Sequence, residues 1–187
     1  MSRIKITEEM KLVARQESNK RESFIKHHFK PKHSSLMKTN EVGFIGEFCF
    51  CEFLGLDWRK NIRSDYKTID NYDLVFNSKR IDVKTETIPH HYATKLLNNT
   101  IKDDDKFGRR LYSSGQFKLL EKYDYIVFGL IIRNTEDFWY PLGFTSAGYI
   151  LKNYRPTLER PDGGAYQSPG APIKTSSLQP IRNFFNI

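Results

Sequence analysis

The stretch Tyr72–Glu86 reads YDLVFNSKRIDVKTE, and its alternation decides the fold. Two short runs, Tyr72–Phe76 and Lys79–Lys84, flank Asn77-Ser78 in the pattern of a β-hairpin closed by a two-residue turn. With such a turn, paired residue numbers sum to 155, which sets Asp73 directly across from Asp82. Lys84 lies two residues farther along, on the same face as Asp82. Like charges directly opposite on a sheet repel. Two aspartates placed so, with a lysine alongside, are most simply explained by a cation that both carboxylates hold. The other face (Leu74, Phe76, Ile81, Val83) is expected to be core. A longer turn would make the two aspartates diagonal neighbours or point them apart.

At 187 residues the chain fits one domain with a real core. Aromatic residues make up 14% of it, so the chain is expected to fold and not to stay disordered. No apolar run approaches a membrane span, and the N-terminus lacks a signal-peptide core. Cys49 and Cys51, two apart in one helical pattern, point to roughly opposite sides, and no metal-ligand spacing surrounds them. The expectation is therefore a cytoplasmic protein with no membrane partner. The net charge of +8 is uneven, at +6 over residues 1–40, −1 over 41–100 and +3 over 101–187. A polyanion brought to an acidic, metal-loaded centre suits that layout. Solvated lysines on a basic protein explain the charge alone equally well.

Residues 7–28 predict a basic surface helix or pair of helices, with Thr7 as N-cap and a thin apolar stripe of Met10, Leu12, Val13, Phe24 and Ile25. A basic linker broken by Pro31 follows, and His27, His28 and His33 show no ligand spacing. Thr39 or Asn40 is expected to cap a buried helix from Glu41 to Leu54, ended by Gly55. Within it Glu47 sits among Phe44, Ile45, Phe48 and Cys51, and a buried carboxylate must be paired, metal-bound or protonated. A salt bridge to a nearby lysine or arginine is its structural alternative. A strand is expected around Trp58–Ile62, then a polar loop in which Asp65 and Asp70 read as loop acids, Asp65 being the better outside candidate. Glu86 faces the site if the second hairpin strand runs on. His90 and His91 are expected in a loop after Pro89.

Residues 94–118 mix charge with few apolar positions, and the triplet Asp103-Asp104-Asp105 reads as solvated. Lys95, Lys102, Lys106, Arg109 and Arg110 lie near Phe107 and Tyr112, the interleaving that backbone contact and base stacking need and that a loop also shows. Tyr123–Ile132 predicts a buried strand, Phe138–Phe144 a second, and Ser146–Lys152 a short helix capped by Thr145. Residues 153–175, rich in Pro and Gly, read as an extended excursion over the surface before a last short helix around Leu178–Phe185.

The order is thus a helix with Glu47, a strand with Asp73, a strand with Asp82-Val83-Lys84, a buried strand, another strand and a helix. Over about Glu41–Leu151 this resembles the PD-(D/E)XK nuclease superfamily, the restriction-endonuclease-like fold, with Tyr72 in place of the motif's variable proline. The resemblance implies an α/β (α+β) domain: a central mixed β-sheet flanked by helices, with a basic helical N-terminal arm. The single domain 1–187 then divides into an arm (1–38), a catalytic core (39–152) and a tail (153–187). It implies a metal-dependent nuclease that hydrolyses DNA phosphodiesters, an endonuclease of phage or bacterial type, in a family whose members often dimerise. Asp73, Asp82 and the Val83 carbonyl would hold Mg²⁺, with Mn²⁺ able to substitute, and Glu47 would join directly or through a water. Lys84 would orient or deprotonate the attacking water, or stabilise phosphate charge. A non-catalytic nucleic-acid-binding module of the same fold and an RNA-cleaving enzyme are the alternatives.

Overall fold

The hairpin forms with the register of a two-residue turn: Leu74 pairs with Ile81, Val75 with Arg80 and Phe76 with Lys79. Asn77 and Ser78 take φ of 48° and 61°, the left-handed pair whose twist matches that of the flanking strands. The computed structural model describes residues 2–22, 39–63 and 72–187. Expectations for Phe24, Ile25, Pro31, the histidines 27, 28 and 33, and Asp65 and Asp70 fall outside those residues. The strands are β1 (Ile4–Lys5), β2 (Leu74–Phe76), β3 (Lys79–Ile88), β4 (Arg109–Ser113), β5 (Tyr125–Ile132), β6 (Phe138–Ser146), β7 (Thr157–Glu159) and β8 (Ala165–Lys174). The helices are α1 (Glu8–Glu22), α2 (Thr39–Phe53), α3 (His90–Leu97), α4 (Ser114–Phe117) and α5 (Ala147–Asn153).

The fold is mixed α/β. A curled five-stranded sheet runs β1-β6-β5-β3-β2, parallel between β3 and β5 and antiparallel elsewhere. A parallel pair needs a long crossover, and here it passes through α3, β4 and α4. On one face of the sheet α2 packs Phe44, Ile45 and Phe48 against Ile81, Val83 and Val127. On the other, Ile126 and Phe128 meet Tyr112, Ala171 and Ile173 of a second, antiparallel sheet, β4-β8-β7. Both faces of β3 are therefore covered.

Several local expectations are corrected. Trp58–Asn61 is a 3₁₀ turn and not a strand, because the Asp57 carboxylate accepts the Arg59 N–H at 3.1 Å and starts a helical turn that buries Trp58 on Phe48. His90 and His91 open α3 and do not lie in a loop, since Ala93 and Leu96 at helical spacing pack under Ile88 and Leu130. Ser146 caps α5 by accepting the Tyr149 N–H at 3.1 Å, while Thr145 stays in β6. The last helical segment is 3₁₀, Ile181–Asn186, following Pro180. Residues 153–175 do run over the surface as far as Pro169, but they are not loop alone: β7 and β8 join β4 in the second sheet, and Ala171 and Ile173 are fully buried. The start of the chain is no appendage either: β1 extends the central sheet, and α1 seats Met10, Ala14, Glu17 and Ser18 inward while Leu12 is exposed. Thr7 does cap α1, its hydroxyl accepting the Met10 N–H.

The approach of α2 to β3 fixes where Glu47 stands, and it depends on a glycine. A Cβ on Gly46 would lie 1.9 Å from Thr85 Oγ1, itself held by Trp139 Nε1 at 3.1 Å. Overpacking of this kind costs about 1–3 kcal/mol. Gly46→Ala should lower Tm by roughly 3–10 °C, and Thr85→Ala added to it should cost less than the sum of the two changes. Melts of the three variants check this; strict additivity would mean that the two surfaces do not meet.

Candidate active site

The inner face of β3 carries Asp82, Lys84 and Glu86 in alternation, so the strand does run on. Lys84 Nζ donates to Asp82 Oδ1 at 2.6 Å. Above it, the period-two alternation of β4 turns Arg110 and Tyr112 inward, and the Tyr112 hydroxyl donates to Asp82 Oδ2 at 3.0 Å. Asp82 thus has both carboxylate oxygens engaged and is 2% exposed. Asp73, one residue before β2, donates its N–H to the Ile81 carbonyl at 2.9 Å. Its Oδ2 accepts the Val83 N–H at 2.7 Å, which ties it to the middle of β3. Its Oδ1 accepts from Arg63 Nη2 at 3.2 Å, and the same nitrogen donates to Glu47 Oε2 at 3.3 Å. The salt bridge left open for Glu47 therefore exists, and it joins Glu47 to Asp73.

Four residues singled out in the sequence, Glu47, Asp73, Asp82 and Lys84, form one electrostatic cluster. Burial and then the Asp73 charge push the Glu47 carboxyl up to about 8, against the pull of Arg63 and Lys84. Burial also raises Asp82, to about 6, and Asp73 adds to it, while Lys84 and the Tyr112 hydroxyl oppose. Burial works against the Lys84 ammonium, but Asp82, Asp73 and Glu47 outweigh it and the pKa is raised. Lys84 is a charged donor here. Burial pushes both cysteine thiols up, so neither Cys49 nor Cys51 is a poised nucleophile.

The basic residues divide. Lys95, Lys102 and Lys106 are exposed, and Arg109 is half-buried with Nη2 on Asp104 at 2.8 Å. Arg110, expected to contact nucleic acid, is 0% exposed. Its Nη1 lies 3.2 Å from Glu86 Oε2 and its Nη2 donates to the Phe107 carbonyl. It braces β3 against β4 and presents nothing to an outside polyanion.

Arg63 and Tyr112 were not picked out as site residues in the sequence. Arg63 comes from an irregular polar segment that carries no periodic signal. For Tyr112 a signal existed: alternation through Arg109–Ser113 puts Arg110 and Tyr112 on one face.

Among the described residues, no three His, Cys, Asp or Glu side chains form a ready-made metal cage. The donors at the site are all oxygens, which fits a hard cation such as Mg²⁺ that takes one or two carboxylates and keeps several waters. The chain matches no protein-family model, no curated protein and no solved structure. The functional reading rests on these residues and their geometry. Among the described residues no helix is long and apolar enough to cross a membrane.

The raised carboxyls give a pH dependence whose sign is fixed. A carboxyl raised by folding stabilises the protein fully below its ordinary value, 4.5 for Glu47, and that stabilisation is lost as pH rises through about 8. Without divalent cations, the Tm of wild type relative to Glu47→Gln should therefore fall across this window. Added Mg²⁺ should oppose the fall, since ligation needs the deprotonated carboxylate. Paired melts from pH 4.5 to 8 measure it; a difference that does not change with pH would contradict the buried, raised carboxyl.

Proposed function

We propose that this chain is a metal-dependent nuclease that cleaves DNA, with a restriction-endonuclease-like core. The carrying observation is the clustering of acids at the hairpin: Asp73, just before β2, accepts the Val83 N–H at 2.7 Å, Lys84 lies 2.6 Å from Asp82, and Glu47 is linked to Asp73 through Arg63. A parallel β3–β5 pair flanked by antiparallel β2 and β6, with an acid-bearing helix across it, supports the same reading.

Asp73 and Asp82 would hold Mg²⁺, and Glu47 would join them. When bound, that ion supplies charge neutralisation at the phosphate and a water activated near neutral pH. The chain's own residues do the rest. Tyr112 fixes the orientation of Asp82, and the Val83 N–H fixes that of Asp73. Lys84, charged under the field of three acids, acts as a donor that orients the attacking water or steadies charge on a non-bridging oxygen. That leaves deprotonation of the water to another group. The basic surfaces would bring the polyanion in.

Arg63 favours a second reading. Its guanidinium already bridges Glu47 and Asp73, as it would in a binding module whose acids are structural. Such a module binds nucleic acid without divalent cations and is indifferent to Asp73→Asn. Purified protein with Mg²⁺ or Mn²⁺, offered supercoiled, linear, branched and single-stranded DNA with matched RNA, separates these readings. Cation-dependent cutting of DNA is the expected result. Cutting of RNA alone would move the substrate class, and cutting of nothing would leave the binding module.

A further inference from the structure

Between the inner face of β3 and the hairpin joining β7 to β8 lies a cleft of about 340 Å³, at the small end of the roughly 300–1,000 Å³ typical of ligand sites. Phe107 and Tyr166 stand in its walls, with Lys106, Arg109 and Arg160 around it and Glu86 on the β3 side. The three cations are matched by as many acids among the lining residues, so the cleft carries no net charge. A bare anion is therefore a poor match. A flat group with apolar faces and an edge of mixed donors and acceptors is a good one.

Two further observations point the same way. Phe107 has φ of 63°, a left-handed conformation that a bulky residue rarely adopts and that its surroundings must hold. Its ring rests on Tyr92, 4.8 Å between centroids, and its carbonyl is gripped by Arg110. Glu86, meanwhile, lies two residues beyond Lys84 on the same face of the same strand, a step of ~6.6 Å. The cleft and the candidate active site thus share one strand face.

We propose that this cleft receives a single unpaired nucleobase of the nucleic acid held at the Asp73–Asp82–Lys84 centre. The base stacks on Tyr166 beside Phe107, and an N–H on its edge donates to Glu86. Proteins that take a base out of its stack read it through such stacking and edge contacts. The assignment rests on the nucleic-acid reading above, so its test avoids cleavage altogether. The full chain, in EDTA, is titrated with each of the four deoxynucleosides and, separately, with 2-deoxyribose 5-phosphate, binding being followed by ligand-observed NMR. Nucleosides should bind saturably in the millimolar range or tighter, and the sugar phosphate should not. Tyr166→Ala should weaken binding at least about fivefold, the loss of one base–aromatic stack, while Tyr166→Phe should retain it. Absence of nucleoside binding, equal binding of the sugar phosphate, or unchanged binding by Tyr166→Ala each overturns the proposal. Nucleoside binding by a protein that cleaves nothing would keep the cleft and remove the nuclease; cleavage without nucleoside binding would do the reverse.

Discussion

Asp82→Asn is expected to lower cation-dependent DNA cleavage at least ~10³-fold, about 4 kcal/mol of barrier, while DNA binding stays within a few-fold of wild type. The substitution keeps the shape of the side chain and removes its charge. Burial already pushes the Asp82 carboxyl up to about 6, so a neutral amide at this position is tolerated by the fold. What is lost is the negative charge that would hold the cation and that pairs with Lys84 Nζ at 2.6 Å. Lys84 remains in the field of Asp73 and Glu47, so the protein should still fold. Single-turnover cleavage rates, with DNA binding by anisotropy in EDTA, make the comparison. A variant that keeps more than a tenth of wild-type cleavage would remove Asp82 from the reaction.

Arg63→Met is the second large effect, and it falls on stability. Arg63 is 14% exposed in its side chain and bridges Glu47, 6% exposed, to Asp73. Breaking a buried ion pair by removing one partner costs roughly 3–5 kcal/mol, because the remaining charge is left uncompensated. Here Glu47 can take up a proton, its pKa lying near 8, so the loss should be small at pH 5 and largest above pH 8. Millimolar Mg²⁺ should recover part of it, by supplying to the two carboxylates the charge that Arg63 supplied. Melts of wild type and variant at pH 5 and above pH 8, with and without Mg²⁺, read all three effects. A pH-independent loss with no recovery by the cation would make Arg63 a packing residue and nothing more.

How much of this was legible in the sequence follows from how local each signal was. The hairpin was readable because its turn and its alternation lie within fifteen residues, and the two-residue turn survives in the structure. Glu47 was readable because an acid among phenylalanines on a buried helix demands a reason. The second sheet was not readable. In β4 the inward residues are Arg110 and Tyr112, so burial hides behind polar side chains. In β8, Pro and Gly mimic a loop. That strand pairs with β7 up to Gly170 and with β4 from Gly170 onward, so Pro172 lies where there is a partner on one side only. A residue without an N–H is tolerated at such a place. In α1 the apolar stripe was thin for a related reason: Glu17 and Ser18 complete the buried side of the helix, and neither reads as apolar. Arg63 reaches the site from an irregular segment, where no periodicity could announce it.

The most direct test of the central claim is a crystal structure of the protein grown with Mg²⁺ or Mn²⁺. An ion bound between Asp73 and Asp82, ~2.0–2.2 Å from an oxygen of each, with Arg63 Nη2 moved off Asp73, is the expected result. A structure at the same cation concentration in which Arg63 still bridges Glu47 and Asp73, with no ion on either aspartate, would contradict it.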